Sequence, residues 1–203
     1  MVSHSETGSP PHAVEIGSTV YLRYPTARDR EQYVALRQRS REHLERWEPR
    51  PPDGSDAFGE AQFERLLRSR RSADQERFLI LELGSRRIVG QVSLGGIIRG
   101  PLQSAFMGYW IGAGFTGRGY MTEAAGLCLR HAFRTLGLHR VEANIQPHNE
   151  PSRAVARKNR LRLEGFSPRY LKIDGRWADH ERWAITVEEW RDPPDAPAYS
   201  LPK

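Results

Sequence analysis

Apolar positions recur along this chain in two rhythms. Thr19 to Tyr24 alternates in the manner of a first strand, whereas Ala27 to Trp47 places Tyr33, Leu36, Leu44 and Trp47 on one side of one or two amphipathic helices. A loop containing Pro49, Pro51, Pro52 and Gly54 follows, and Phe58 to Arg70 returns to helical spacing through Phe63, Leu66 and Leu67. Three short strands are then predicted in succession: Phe78 to Leu83, Ile88 to Leu94 after the Gly84-Ser85 turn, and Gln103 to Ile111 after Gly100-Pro101. Turns this short imply an antiparallel meander. Beyond it the pattern predicts a helix from Gly119 to Leu136, a strand from Arg140 to Ile145, a helix from Pro151 to Leu161, and strands around Tyr170 and from Trp183 to Val187. A meander followed by β-α-β-α-β-β is an α+β (mixed α/β) order.

The ends carry no such rhythm. Residues 1–16 read as a polar tail, 17–191 as a single domain, and 192–203 as a second tail, where Pro193, Pro194, Pro197 and Pro202 remove backbone donors. A chain of 203 residues can bury a core without staples. The single cysteine, Cys128, forms no internal disulfide and no cysteine-paired zinc site, so no metal is expected. No apolar run reaches the roughly 18 residues a membrane helix needs, and the N-terminus lacks a signal-peptide pattern. The expectation is a soluble, cytoplasmic protein, monomeric or homodimeric. The formal charge of +6 invites a nucleic-acid reading. However, the arginines are scattered among acids, which predicts a mixed-charge surface without direct nucleic-acid specificity.

The chemistry concentrates at one glycine-rich turn. Gly112 to Gly117 spells G-x-G-x-x-G, yet a dinucleotide turn should open a run of parallel units, and here a meander precedes it. The overlapping run Thr116-Gly117-Arg118-Gly119-Tyr120-Met121-Thr122 makes a better anion site. Two glycines let the backbone approach a ligand, and the helix that begins there aims its unpaired N–H groups and positive dipole end at the same point. Met121 and Cys128 fall on the apolar stripe of that helix and are predicted to be core residues.

Several segments together carry a resemblance: His43-Leu44-Glu45-Arg46-Trp47-Glu48-Pro49, Gly108-Tyr109-Trp110-Ile111, the glycine turn, Leu138 to Ala143, Pro147 to Ser152, and Tyr170 to His180. Over Val20 to Trp190 the chain resembles the GCN5-related N-acetyltransferases, in particular the RimJ/RimL group that acetylates ribosomal-protein alanines. The resemblance implies a mostly antiparallel twisted sheet of about seven strands, flanked by helices, with a splayed central strand pair. It also implies acetyl-CoA as acetyl donor and a protein N-terminus, in that group a ribosomal protein, as acceptor. Carried over, the pyrophosphate loop falls on Gly117, Arg118, Gly119, Tyr120, Met121 and Thr122. Trp110 and Ile111 fall on the strand that pairs with the pantetheine arm, with Asn149 and Ser152 beside that arm. Trp47, Glu48 and Tyr170 fall on the acceptor side. Thr116 and Met121 depart from the usual Gln/Arg and Gly/Ala of the loop, Arg160 replaces the glycine that closes the following helix, and Arg169 stands where an acid is common.

Amine acetylation needs a neutral amine, charge stabilisation at the carbonyl oxygen and a proton for the departing thiolate. A backbone N–H near Ile111 would serve the oxygen and Ser152 the thiolate, although a serine at a helix start also serves as an N-cap. Glu142, the sole acid of its strand, could order a water as base; His148 and His180 are the other groups of suitable pKa. The alternatives are a small-amine acetyltransferase acting on an antibiotic or polyamine, and a non-catalytic CoA-binding module.

Overall fold

The computed structural model describes residues 10–192. Eight strands form one sheet among them, in the order β1-β2-β3-β4-β5-β6-β8-β7. Strand β1 (Glu15–Ile16), which falls ahead of the boundary expected at Gly17, pairs with β2 (Val20–Arg23) and adds an eighth, two-residue strand to the expected seven. A strand that short has no period to read. Its Glu15 carboxylate accepts a 2.7 Å bond from buried Arg130, which anchors it to the helical layer. Most of the proline-rich tail lies outside the described residues.

Strands β3 (Gln75–Glu82), β4 (Ile88–Ile98) and β5 (Ser104–Ile111) are the expected meander, each antiparallel to the last. In β3 the continuous apolar run Phe78-Leu79-Ile80-Leu81 is buried throughout, because helices cover both faces of the sheet. Phe78 and Ile80 join the core under α4 (Tyr120–Arg130), with Met121 and Cys128. Leu79 and Leu81 join the opposite core with Tyr33 and Leu36 of α1 (Arg30–Arg39) and Phe63 and Leu66 of α3 (Glu60–Arg68). Burial pushes the Cys128 thiol far up, consistent with a packing role.

The predicted helix Ala27 to Trp47 is divided into α1, the short α2 (Arg41–Leu44) and flanking 3₁₀ turns. Trp47, expected on its apolar side, stays only half-buried. Past α4 the chain makes a π-helical turn, His131–Thr135, before β6 (Arg140–Ile145). Helix α5 (Glu150–Lys158) leads to the β7 (Arg162–Ile173) and β8 (Arg176–Thr186) hairpin. The missing glycine after α5 is not bypassed: Arg160 itself takes the left-handed conformation, φ 62°.

One feature of the topology positions the site. Strands β5 and β6 are parallel, paired only at Ser104↔Arg140, Ala105↔Val141 and Phe106↔Glu142. Beyond these pairs β5 continues to Ile111 against β4, and β6 continues to Ile145 against β8. The two strands therefore part in mid-sheet.

Candidate active site

A cavity of about 870 Å³ occupies the parting. Its walls come from β5 (Gly108, Tyr109, Trp110) and from the end of β6 (Ala143, Asn144, Ile145). Strand pairing dictates which main-chain groups face it. Gly112 N–H bonds the Val89 carbonyl at 2.9 Å, and Trp110 stands opposite Gln91 in the same register, so Trp110 spends its N–H and C=O on β4. By the same alternation Tyr109 and Ile111 turn theirs toward the parting. The expected N–H at Ile111 is therefore available, whereas Trp110 contributes only its ring: it packs edge-on against Tyr33 at 5.7 Å and under the Arg37 guanidinium at 4.8 Å. On the β6 side, Asn144 Oδ1 is buried without a hydrogen-bond partner among the described residues.

The glycine turn lies at the start of α4. Gly117 and Gly119 have φ of 74° and 81°, a left-handed conformation that a side chain would strain, with open space where a Cβ would stand. The first helical bond runs from Glu123 N–H to the Gly119 carbonyl at 3.1 Å. The N–H groups of Tyr120, Met121 and Thr122 consequently have no intrahelical acceptor. Met121 is buried, Tyr120 donates its hydroxyl to Glu82, and Arg118 lies over the Phe115 ring at 5.5 Å. Thr122 presents its carbonyl to Asn159 Nδ2 at 3.1 Å, tying the start of α4 to the end of α5. A second hollow of about 480 Å³, lined by Gly119, Thr122, Lys158 and Arg160 among others, borders this turn.

Helix α5 is capped by a residue other than the serine at its start. Asn149 is the N-cap, its Oδ1 accepting from Ser152 N–H at 3.2 Å. The Ser152 hydroxyl is thus not the cap; it lies beside the Tyr109 phenol, and Asn149 and Ser152 both line the cavity. The Tyr109 hydroxyl donates to the Ser152 carbonyl at 3.2 Å, fixing this turn against β5, and burial pushes its pKa up to about 12, so it stays protonated. From the sequence Tyr109 belongs to the strand that pairs with the pantetheine arm, with no role for its hydroxyl. Its one available signal was alternation, since Tyr109 stands on the face opposite Trp110.

The base candidates separate. Glu142 lies at the still-paired end of β6, outside the cavity lining, with its carboxylate held by Arg140 Nε at 2.9 Å. His148 does not line the cavity; it faces the Trp47 ring at 5.3 Å. His180 does line it, at the point on β8 just past the last β6 pair, Ile145↔Glu181. Its Nδ1 lies 3.0 Å from the Ala178 carbonyl, which can only accept, so Nδ1 carries the proton and Nε2 keeps its lone pair. Burial holds the His180 pKa below its ordinary 6.5, favouring this neutral form.

On the acceptor side the structure brings Trp47 and Glu48 to the cavity but not Tyr170, which sits 6.0 Å from the His180 ring outside the lining; its neighbour Leu171 lines the cavity instead. Glu48 is not free. Arg37, 2% exposed and missed in the sequence, grips it through two bonds of 2.7 and 2.6 Å. Among the described residues no group of three or more His, Cys, Asp or Glu could hold a metal, and no helix is long and apolar enough to cross a membrane.

Comparison with known proteins agrees with this geometry. The family description "Acetyltransferase (GNAT) domain" matches residues 19–162. The chain is 36% identical over 171 residues to the probable N-acetyltransferase YjcK of Bacillus subtilis, an alignment spanning 83% of this chain and 94% of that protein. It is 34% identical over 113 residues to the ribosomal protein uS5-alanine N-acetyltransferase of Escherichia coli, covering 56% and 58% of the two chains. Among solved structures, Mycobacterium smegmatis RimJ in complex with CoA-disulfide superposes with a TM-score of 0.77 at 37% identity, over 84% of this chain and 83% of that one.

Proposed function

The chain belongs to the acetyltransferase (GNAT) domain family as an acetyl-CoA-dependent N-acetyltransferase, and from that premise we propose that its acceptor is the α-amine of a protein N-terminus, a ribosomal protein by analogy with its relatives. The residues present fit the donor. The open N–H groups of Tyr120, Met121 and Thr122 suit a pyrophosphate, and the main-chain groups of Tyr109 and Ile111 with the orphaned Asn144 Oδ1 suit the amides of a pantetheine arm. Bound acetyl-CoA supplies an acetyl group activated as a thioester. The Ile111 N–H stabilises negative charge at the carbonyl oxygen, the Ser152 hydroxyl donates to the departing thiolate, and His180 Nε2 takes the proton of the attacking amine, directly or through one water.

The observation that carries the acceptor assignment is the charge of the cavity. Among the described residues five arginines line it, and the single acid, Glu48, is already engaged by Arg37. A polyamine or aminoglycoside, each a polycation, would meet repulsion and find no free carboxylate. A lone α-amine, with a pKa of about 7.7 to 8.0, is partly neutral near pH 7.4, whereas a lysine amine at about 10.4 is roughly 0.1% neutral. Neighbouring guanidiniums lower the pKa of either amine and leave the α-amine the more largely neutral of the two. An alanine- or serine-starting peptide should be acetylated at least about tenfold faster than the same peptide blocked at its N-terminus but carrying an internal lysine, and faster than spermidine or an aminoglycoside. Faster turnover of the blocked peptide or of any small amine would overturn the assignment.

His180 supports a second test. A base must be neutral to act, so kcat should fall as pH drops through the depressed His180 pKa, below 6.5, and be independent of this group above it. His180→Gln should lower kcat by about 10²-fold and abolish that acid limb. An unchanged limb in the variant would assign it to another group.

A further inference from the structure

Of the five arginines in the cavity, three are matched: Arg37 with Glu48, Arg50 with Asp174 at 2.7 Å and Arg65 with Asp53 at 3.0 Å. Arg68 and Arg77 have no carboxylate within ion-pair distance among the described residues. Arg77 is the more telling. It is half-buried on β3, and burial lowers its pKa, a cost that the nearby Asp74 charge offsets only in part and that no ion pair relieves. Its guanidinium shares one acceptor, Gln75 Oε1, through Nε at 3.1 Å and Nη2 at 2.8 Å, which leaves Nη1 unused. A desolvated cation with donors to spare is matched to an anion that arrives from outside.

The sheet register leads from this residue to the reaction centre. Arg77 stands opposite Ser93, and Ser93 opposite Gly108. Two small residues in one row leave a trough across the face, whereas the adjacent row is filled by Leu79, Gln91 and Trp110. The trough ends at β5, beside the Tyr109 and Ile111 groups that face the parting. Two strand spacings put Arg77 about 10 Å from Gly108, the reach of about three extended residues.

We propose that Arg77, assisted by Arg68 in the same cavity, binds a carboxylate side chain of the acceptor, so that the preferred substrate is an N-terminus carrying Asp or Glu at its third or fourth residue. The inference rests on the α-amine reading above and extends it from the first residue of the acceptor to the third and fourth. The test uses matched alanine-starting peptides with Glu or Gln at positions three and four. With wild-type protein the Glu peptides should be favoured by about tenfold in kcat/KM at low salt, and less as salt rises. The ratio should collapse toward one in Arg77→Gln, persist in part in Arg77→Lys, and shrink in Arg68→Gln, an exposed change that leaves the sheet intact if Arg77→Gln does not fold. A wild-type ratio near one, or a ratio unmoved in the Gln variants, overturns the inference. If no peptide is acetylated the α-amine reading fails instead. Calorimetric titration of the same peptides onto the protein saturated with CoA then decides this one: tighter binding of the Glu peptides, lost on removing the Arg77 charge, supports it, and equal or absent binding overturns it.

Discussion

Replacing Gly119 with valine should weaken acetyl-CoA binding by at least about tenfold, or 1.4 kcal/mol, in calorimetry. Nothing stands within 4 Å of the position a Cβ would take, so the effect does not come from a clash inside the folded chain. It comes from the backbone. At φ 81° a β-branched side chain is held in a conformation costing of the order of 1–2 kcal/mol, and the turn relaxes by rotating the peptides that aim Tyr120, Met121 and Thr122 N–H at one point. An anion site built from main-chain donors loses its convergence when one φ changes sign. Gly119→Ala should fall between the two. Wild-type affinity in a folded Gly119→Val would place the pyrophosphate elsewhere.

Ser152→Ala should reduce kcat by about 10²-fold while leaving acetyl-CoA affinity and melting temperature close to wild type. The cap of α5 is Asn149, and the Ser152 group it holds is the backbone N–H, which alanine retains. Loss of a cap costs about 0.5 to 2 kcal/mol, so that signature belongs to Asn149→Ala and not to Ser152→Ala. A Ser152→Ala protein that is less stable but has normal turnover per folded molecule would show the hydroxyl to be structural. One with normal stability and normal turnover would move the thiolate's proton donor elsewhere, with Tyr109, kept protonated by burial, the next group to test.

How much of this was legible in the chain divides along the range of the interactions. The meander, helices α3 to α5, strand β6 and the core placement of Met121 and Cys128 all follow from the side-chain period, which each segment carries within itself. The glycine turn was legible for the same reason, since two glycines beside a helix start define the local backbone whatever the rest of the fold does. Local rules went no further than type. At α5 both Asn149 and Ser152 are capping residues by chemistry, and only the observed bond from Ser152 N–H to Asn149 Oδ1 assigns the cap.

The site itself was decided by tertiary structure. Alternation placed Glu142 on a face of β6, but pairing with Phe106 put it at the closed end of the strand pair, and Arg140 took its charge. His180 lies 28 residues beyond Ser152 in the chain and reaches the same cavity because β8 pairs with β6 along its full length. Trp110 and Ile111 are neighbours in sequence, yet the β4 register gives the main-chain groups of one to the sheet and leaves those of the other open. Side-chain period and turn chemistry depend on residues a few positions apart, so the sequence by itself determined the elements and the anion turn. Which donors stay unpaired and which histidine reaches the cavity depend on strands that meet only when the sheet closes, and those were decided by long-range pairing.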